Sequence, residues 1–251
     1  MGALHAGHVS LIAAGRVGND LTVCSIFVNP TQFNNPDDLA RYPRTLAADC
    51  AMLQAAGCDA VFAPSAQEMY PEPAIVKFDF GALERVMEGQ FRPGHFNGVG
   101  VVVSKLFNIV QPDRAYFGQK DLQQTAVVRQ MMVDLGFQIE LHICPTLREA
   151  DGLAMSSRNV NILAQHRPAA STIFRILNKA KTSLLAGEPP KTVQVEAAQA
   201  FAAQPDFKLE YFEVVNLHTL QPVAARQPEG QTAICAAAFL GKVRLIDNVV
   251  F

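Results

Sequence analysis

The sequence lacks any excess of positive charge: 21 Lys and Arg stand against 23 Asp and Glu, a formal net charge of −2. Proteins that coat nucleic acid carry a basic surplus, so a nucleic-acid partner is not expected. The balance leaves an anionic small ligand open, because a few local cations suffice to bind one. No apolar run approaches the ~20 residues of a membrane span, and no membrane partner is expected. No basic stretch precedes the first apolar segment, so a secretory leader is not expected. The five cysteines (Cys24, Cys50, Cys58, Cys144, Cys235) are odd in number, scattered, and form no C-x-x-C pair. They read as buried thiols of a cytoplasmic protein rather than disulfides or a zinc site. Internal repeats and low-complexity tracts are also missing. Apolar material is plentiful: 49% of the 251 residues are hydrophobic and 18% charged, enough for a full core in one large or two modest domains.

The first part of the chain alternates between strand and helix signals. "LTVCSIFV" (21–28) reads as a short buried parallel strand. "TLAADCAMLQAAG" (45–57) reads as a helix with Thr45 as N-cap and Gly57 just past its end. "CDAVFAP" (58–64) is a strand stopped by proline. "GVGVVVSKLFNIV" (98–110) carries apolar residues at a helical period despite its valines. "RAYFG" is a strand, "DLQQTAVVRQMMVDLG" (121–136) a helix, and "FQIELHIC" (137–144) a strand. This alternation predicts an α/β fold with a parallel sheet. After about residue 146 the rhythm changes. A long helix is expected over 164–186 and a second over 192–203, separated by "GEPP". Three β-rich runs follow, "KLEYFEVVN", "QTAICAAAFL" and "KVRLIDNVV", the last two joined by a tight "GK" turn. They predict an α+β domain with an antiparallel sheet.

Several stretches carry chemistry. The opening "MGALHAGH" places His5 and His8 at i and i+3, on one face of a helix starting there. Gly2 and Gly7 let a ligand approach the backbone. A helix N-terminus offers unpaired N–H groups and partial positive charge, which suits phosphate. Two surface histidines would give the same spacing, and a metal site lacks a third ligand nearby. "FGQKDLQQ" (117–124) lies where a strand ends and a helix begins, the usual ligand position of an open α/β sheet. There Lys120 could reach a phosphate. Asp121 could cap the helix or accept a ribose hydroxyl, and Gln124 falls one turn after Lys120. In "READGLAMSSRN" (148–159), Ser156, Ser157 and Arg158 present two hydroxyls and a guanidinium suited to polyphosphate oxygens, on what could equally be an interdomain loop. "FVNPTQF" (27–33) presents Asn29 and Gln32, neutral polar groups suited to orienting a small polar substrate.

"MGALHAGH", "SIFVNPTQF", "YPRT", "GHFNGV", "PDRAYFGQKDLQQ" and "READGLAMSSRN" together resemble the pantoate–beta-alanine ligase family, in order and along essentially the whole chain. That family lies within the nucleotidyltransferases with a His-x-Gly-His signature. The resemblance implies a Rossmann-like nucleotide- and pantoate-binding domain over 1–146 and a smaller α+β lid domain over 147–251. It implies that pantoate carboxylate attacks the α-phosphate of ATP, and that beta-alanine then attacks the pantoyl adenylate, giving pantothenate and AMP. No covalent enzyme intermediate is required, so no Ser-His-Asp or Cys-His arrangement is needed.

Residue by residue, the resemblance implies that Met1, Gly2, Ala3, Leu4, His5, Ala6, Gly7 and His8 contact ATP, with His8 as proton donor. Gly118, Gln119, Lys120 and Asp121 also bind ATP, with Lys120 towards the phosphates and Gly118 and Asp121 near the ribose. Leu147 marks a backbone contact to adenine, and Met155, Ser156, Ser157 and Arg158 close over the phosphates. His5, His8, Lys120 and Arg158 form the catalytic set. Gln32 and Gln124 hold pantoate, and Gln32 also lies near the beta-alanine site. Mg²⁺ accompanies ATP, and a homodimer is expected. In the family a central sheet strand precedes the stretch matching "MGALH", whereas here Met1 is the first residue. The chain as given is therefore expected to be less stable and less active than one extended upstream by a strand. Two alternatives stand beside this reading: a related nucleotidyltransferase acting on another acid, and a nucleotide-binding protein without activity.

Overall fold

The computed structural model describes residues 1–33, 39–40 and 42–251. The chain divides into two compact units, Met1–Gln119 with Gln123–Pro145, and Lys120–Leu122 with Thr146–Phe251.

The first unit is α/β. Strand β1 (Val23–Ser25) pairs in parallel with β2 (Ala60–Phe62), and β3 (Arg114–Gly118) pairs in parallel with β4 (Glu140–Cys144). Met1 adjoins the end of β1: its nitrogen donates to the Ser25 carbonyl and its carbonyl accepts from the Phe27 N–H, each at 2.9 Å. This spaced pair of bonds is the parallel pattern. The long helices are α1 (Ala6–Arg16) and α2 (Leu46–Ala55), with the short α3 (Ala66–Met69) and α4 (Met87–Phe91) before α5 (His95–Val110) and α6 (Leu122–Asp134).

The first two expected strands shorten to three residues each. Asn29 and Pro30 turn the chain out of β1 into a 3-10 turn, and Pro64 closes β2, so the ladder has no room to extend. Thr45 does sit at the N-cap of α2, but its hydroxyl donates to Asp49 Oδ1 at 3.1 Å instead of accepting a helix N–H. Gly57 follows α2 with φ +75°. The valine-rich helix α5 forms because Val99, Val102, Val103 and Phe107 recur on one face and are buried with Val127, Val128 and Met131 of α6.

In the second unit, the helix expected over 164–186 starts late. Pro168 sits in a 3-10 turn (Arg167–Ala169), and the α-helix α7 runs Thr172–Leu185. Helix α8 (Pro190–Ala202) opens with proline at its first position, where no N–H is needed. Strands β5 (Phe207–Asn216), β6 (Thr232–Leu240) and β7 (Val243–Val250) form an antiparallel sheet in that order. Ile173, Leu177, Ala180 and Leu184 of α7 and Val193, Ala197 and Phe201 of α8 cover this sheet as one core. The central strand β6 is alanine-rich and almost wholly buried, which allows close packing against it.

Candidate active site

The opening turn is built by reciprocal capping. His5 is the N-cap of α1 in extended conformation, and its Nδ1 accepts the Gly7 N–H at 3.1 Å. His8 Nδ1 accepts the His5 N–H at 3.3 Å. The two rings lie 4.0 Å apart between centroids, so the structure brings the expected pair together. A nitrogen that accepts an N–H carries no proton. With Nδ1 accepting, each neutral ring holds its proton on Nε2, where it can donate.

The loop before the histidines is held by a residue that motif reading missed. Asp49 is buried, and its two oxygens accept the N–H groups of Ala3 at 3.0 Å and Leu4 at 2.8 Å. Ala3 sits at φ +48°, a left-handed value that a non-glycine residue holds only when its surroundings enforce it. The signal for Asp49 was an acid inside the otherwise apolar "LAADCAML". Beside this loop, burial pushes the Cys24 thiol up to about 11. It is an inert buried thiol, not a nucleophile.

Gln32 stands on a short turn (Pro30–Gln32) whose N-cap is Asn29. Asn29 is buried, and both of its amide groups are committed to the protein. Nδ2 donates to Gln32 Oε1 at 3.2 Å and to the Gly98 carbonyl at 3.1 Å. Oδ1 accepts from Thr31 Oγ1 at 3.0 Å and Tyr70 OH at 2.9 Å. Asn29 therefore orients the Gln32 amide through its oxygen. Below it, His95 Nδ1 lies 2.9 Å from the Gln32 carbonyl, and Arg92 lies 3.5 Å from that carbonyl and from His95 Nε2. "GHFNGV" thus supports the Gln32 turn, a role its residue types alone did not reveal.

The two adjacent glutamines of α6 differ. Gln123 is buried and fully used: Oε1 accepts the Glu88 N–H at 2.9 Å, and Nε2 donates to the carbonyls of Leu83 at 2.7 Å and Val86 at 2.9 Å. Gln124 is half-buried. Gly118 ends β3 opposite Cys144, and a 3-10 turn (Gln119–Asp121) follows. Lys120 Nζ lies 3.5 Å from Asp121 Oδ1.

The stretch read as suited to polyphosphate, or equally as an interdomain loop, begins as a small hairpin. The Met155 N–H donates to the Leu147 carbonyl at 3.0 Å, the Glu149 N–H donates to the Leu153 carbonyl at 2.8 Å, and Arg148 bridges Ala154. Arg167 clamps it, reaching Glu149 at 2.6 Å and Asp151 at 2.5 Å. That guanidinium holds the Asp151 carboxyl below the usual carboxylate range. From the hairpin, Ser156 caps a 3-10 turn (Ser157–Asn161) by accepting the Arg158 N–H at 3.3 Å. Among the described residues, no group of three His, Cys, Asp or Glu side chains is placed to hold a metal ion. No helix there is long and apolar enough to cross a membrane.

Residues 1–250 match the family described as Pantoate-beta-alanine ligase. The chain is 49% identical over 251 residues to the pantothenate synthetase of Bacteroides thetaiotaomicron, covering all of this chain and 89% of that one. It is 50% identical over 252 residues to the pantothenate synthetase of Phocaeicola vulgatus, again covering all of this chain and 89% of that one. Among solved structures, the pantothenate synthetase of Thermus thermophilus superposes with a TM-score of 0.94 at 43% identity, over 99% of this chain and 90% of that chain. The pantoate-beta-alanine ligase of Francisella tularensis, complexed with beta-gamma ATP and beta-alanine, matches with a TM-score of 0.77 at 34% identity, over 100% and 87%.

Proposed function

The chain belongs to the pantoate-beta-alanine ligase family, and from that premise we propose that it joins pantoate to beta-alanine in an ATP-dependent ligation through a pantoyl adenylate. A pantoate carboxylate oxygen attacks the α-phosphorus, and the bond to the β-phosphate oxygen breaks, releasing pyrophosphate. The beta-alanine amine then attacks the acyl carbon, its surplus proton passes to water, and AMP leaves with the electron pair of the anhydride bond. The observation that carries this reading is the reciprocal cap of His5 and His8, which makes each neutral ring a donor at Nε2. The α-phosphoryl gathers negative charge at the transition state, and preformed N–H donors and cations stabilise it there. In this role His8 donates a hydrogen bond to phosphate, alongside His5 and the Gly2–Gly7 backbone.

Lys120 and Arg158 supply positive charge to the phosphates, and Ser156 and Ser157 supply hydroxyl donors. Gly118 and Asp121 line the ribose side, Gln119 also meets ATP, Leu147 lies toward adenine, and Met155 closes over the phosphates with Ser156, Ser157 and Arg158. Gln32 and Gln124 orient pantoate, with Asn29 fixing Gln32. Bringing the reactants together in one pocket lowers the entropic barrier, and closure shields the adenylate from water. In this scheme residues 1–146 form the nucleotide- and pantoate-binding domain and 147–251 the lid domain.

Mg²⁺ is proposed to arrive with ATP. The side chains described make no dedicated cage for it, so the triphosphate and water would be its principal ligands. The free cysteines suit a reducing, cytoplasmic setting. A homodimer is proposed through the first unit. Ile75 and Val76, 92% and 69% exposed, offer apolar surface for it; a monomer by light scattering at micromolar concentration would refute this.

The test of function is pyrophosphate release on adding ATP and pantoate, followed by pantothenate only when beta-alanine is present. Release supported equally by an unrelated acid would replace pantoate as substrate. ATP binding with no release under any acid would mark a nucleotide-binding protein without activity.

A further inference from the structure

The sequence "RLIDNVV" near the end of the chain joins none of the motifs above, yet its Asp247 and Asn248 are both buried. A buried acid needs a partner. Arg148, ninety-nine positions earlier, provides it: NH1 meets Asp247 Oδ2 at 2.7 Å and NH2 meets Oδ1 at 2.9 Å. The same guanidinium donates to the Gly152 carbonyl at 3.0 Å and to the Asn248 carbonyl at 3.3 Å. It stacks on the Phe174 ring, 3.6 Å from the centroid. Asp247 Oδ1 accepts the Asn248 N–H at 2.8 Å. Asn248 Nδ2 in turn donates to the main-chain carbonyl of Lys120 at 3.0 Å.

One planar, bidentate group thus ties the hairpin bearing Met155 to the end of β7, and β7 ties down Lys120. Arginine suits this task and lysine does not, because only the guanidinium offers several donors in a fixed fork. Burial raises the Asp247 carboxyl, and Arg148 opposes that rise. Lys120, Arg148, Asp247 and Asn248 all belong to the second compact unit, although Lys120 follows strand β3 of the first in sequence.

We propose that Arg148, Asp247 and Asn248 are positioning residues that set the Lys120 backbone, and so its ammonium, for adenylate formation. None of the three is required to touch substrate. The inference rests on the reading that Lys120 acts on the phosphates.

A double-mutant cycle tests it, reading pantoate-dependent pyrophosphate release and Tm. Asn248→Ala is expected to lower kcat about 10-fold with little change in KM for pantoate, since misplacement of a catalytic group by a fraction of an ångström has that order of effect. In a Lys120→Ala background the same substitution should change kcat by less than about twofold, because coupled residues are non-additive. A general loss of structure would be felt equally in both backgrounds. If Asn248→Ala does not fold, Arg148→Lys reads the same cycle: it keeps the charge and loses the fork. Equal losses with and without Lys120 would overturn the positioning role. Full activity of Lys120→Ala alone would instead overturn the reading of Lys120.

Discussion

Gly98→Ala isolates the link between helix α5 and the Gln32 turn, proposed to orient pantoate. A Cβ at position 98 would lie 2.6 Å from the Thr31 carbonyl oxygen, 2.7 Å from its carbon and 2.9 Å from Gln32 Cα. Real Cβ atoms essentially never come within 3.0 Å, so the two segments must part by roughly 0.4 Å. All three atoms are backbone, and no side-chain rotation relieves the clash. The turn is also pinned to α5 by Asn29 Nδ2 on the Gly98 carbonyl and by His95 on the Gln32 carbonyl. The strain therefore reaches Gln32. Overpacking of this kind costs about 1–3 kcal/mol. At about 2–4 °C per kcal/mol for a chain of this size, Tm should fall by roughly 2–12 °C. Since a 1 Å misplacement can cost about 100-fold, kcat/KM for pantoate should fall about 10-fold, with a smaller effect on KM for ATP. Gly100→Ala is the control. Its Cβ would approach the Phe78 and Phe80 rings at 2.9 Å, and side chains can move aside. It should lower Tm and spare pantoate kinetics. A pantoate kcat/KM within twofold of the parent for Gly98→Ala, or an equal loss for Gly100→Ala, would refute this link.

The neighbouring glutamines of α6 should separate cleanly. Gln123→Ala strands the Glu88 N–H and the carbonyls of Leu83 and Val86, and should cost about 1–3 kcal/mol of stability with near-normal pantoate kinetics. Gln124→Ala should do the reverse, leaving Tm unchanged and losing about 1–3 kcal/mol in kcat/KM for pantoate; thermal melts with steady-state kinetics decide, and the opposite pattern would reassign the pair. The hairpin clamp should weaken only in acid. Pairing with Arg167 depresses the Asp151 carboxyl, so its stabilisation is present above the unfolded Asp value of about 3.9 and is lost as pH falls through the lower folded value. Hydrogen exchange at the Leu153 amide, corrected for intrinsic rate, should quicken as pH falls below about 4, and Asp151→Asn should flatten that dependence. An unchanged rate would show that the clamp does not hold the hairpin.

The sequence by itself determined what is local. Histidines at i and i+3 beside a helix start already specify a shared face, and the folded chain decides only which nitrogens are used. Strand–helix alternation specified the α/β class, and three β-rich runs specified the antiparallel sheet, because side-chain period follows backbone geometry. Helix starts were less legible: Pro168 shifted α7 by removing an N–H, an effect that periodicity alone does not register. The family motifs named Gln32, Gln124, Lys120 and the "SSR" turn as candidates. Tertiary structure decided their supports. Asn29 looked like a ligand group and is spent inside the protein, Gln123 and Gln124 are chemically identical and differ only in what surrounds them, and Asp49 and His95 act through backbones far away in sequence. Arg148 and Asp247 meet across ninety-nine positions. No spacing rule encodes such pairs. They exist because a buried polar group must find a partner once the chain has folded around it, and only the folded chain determines which partner is within reach.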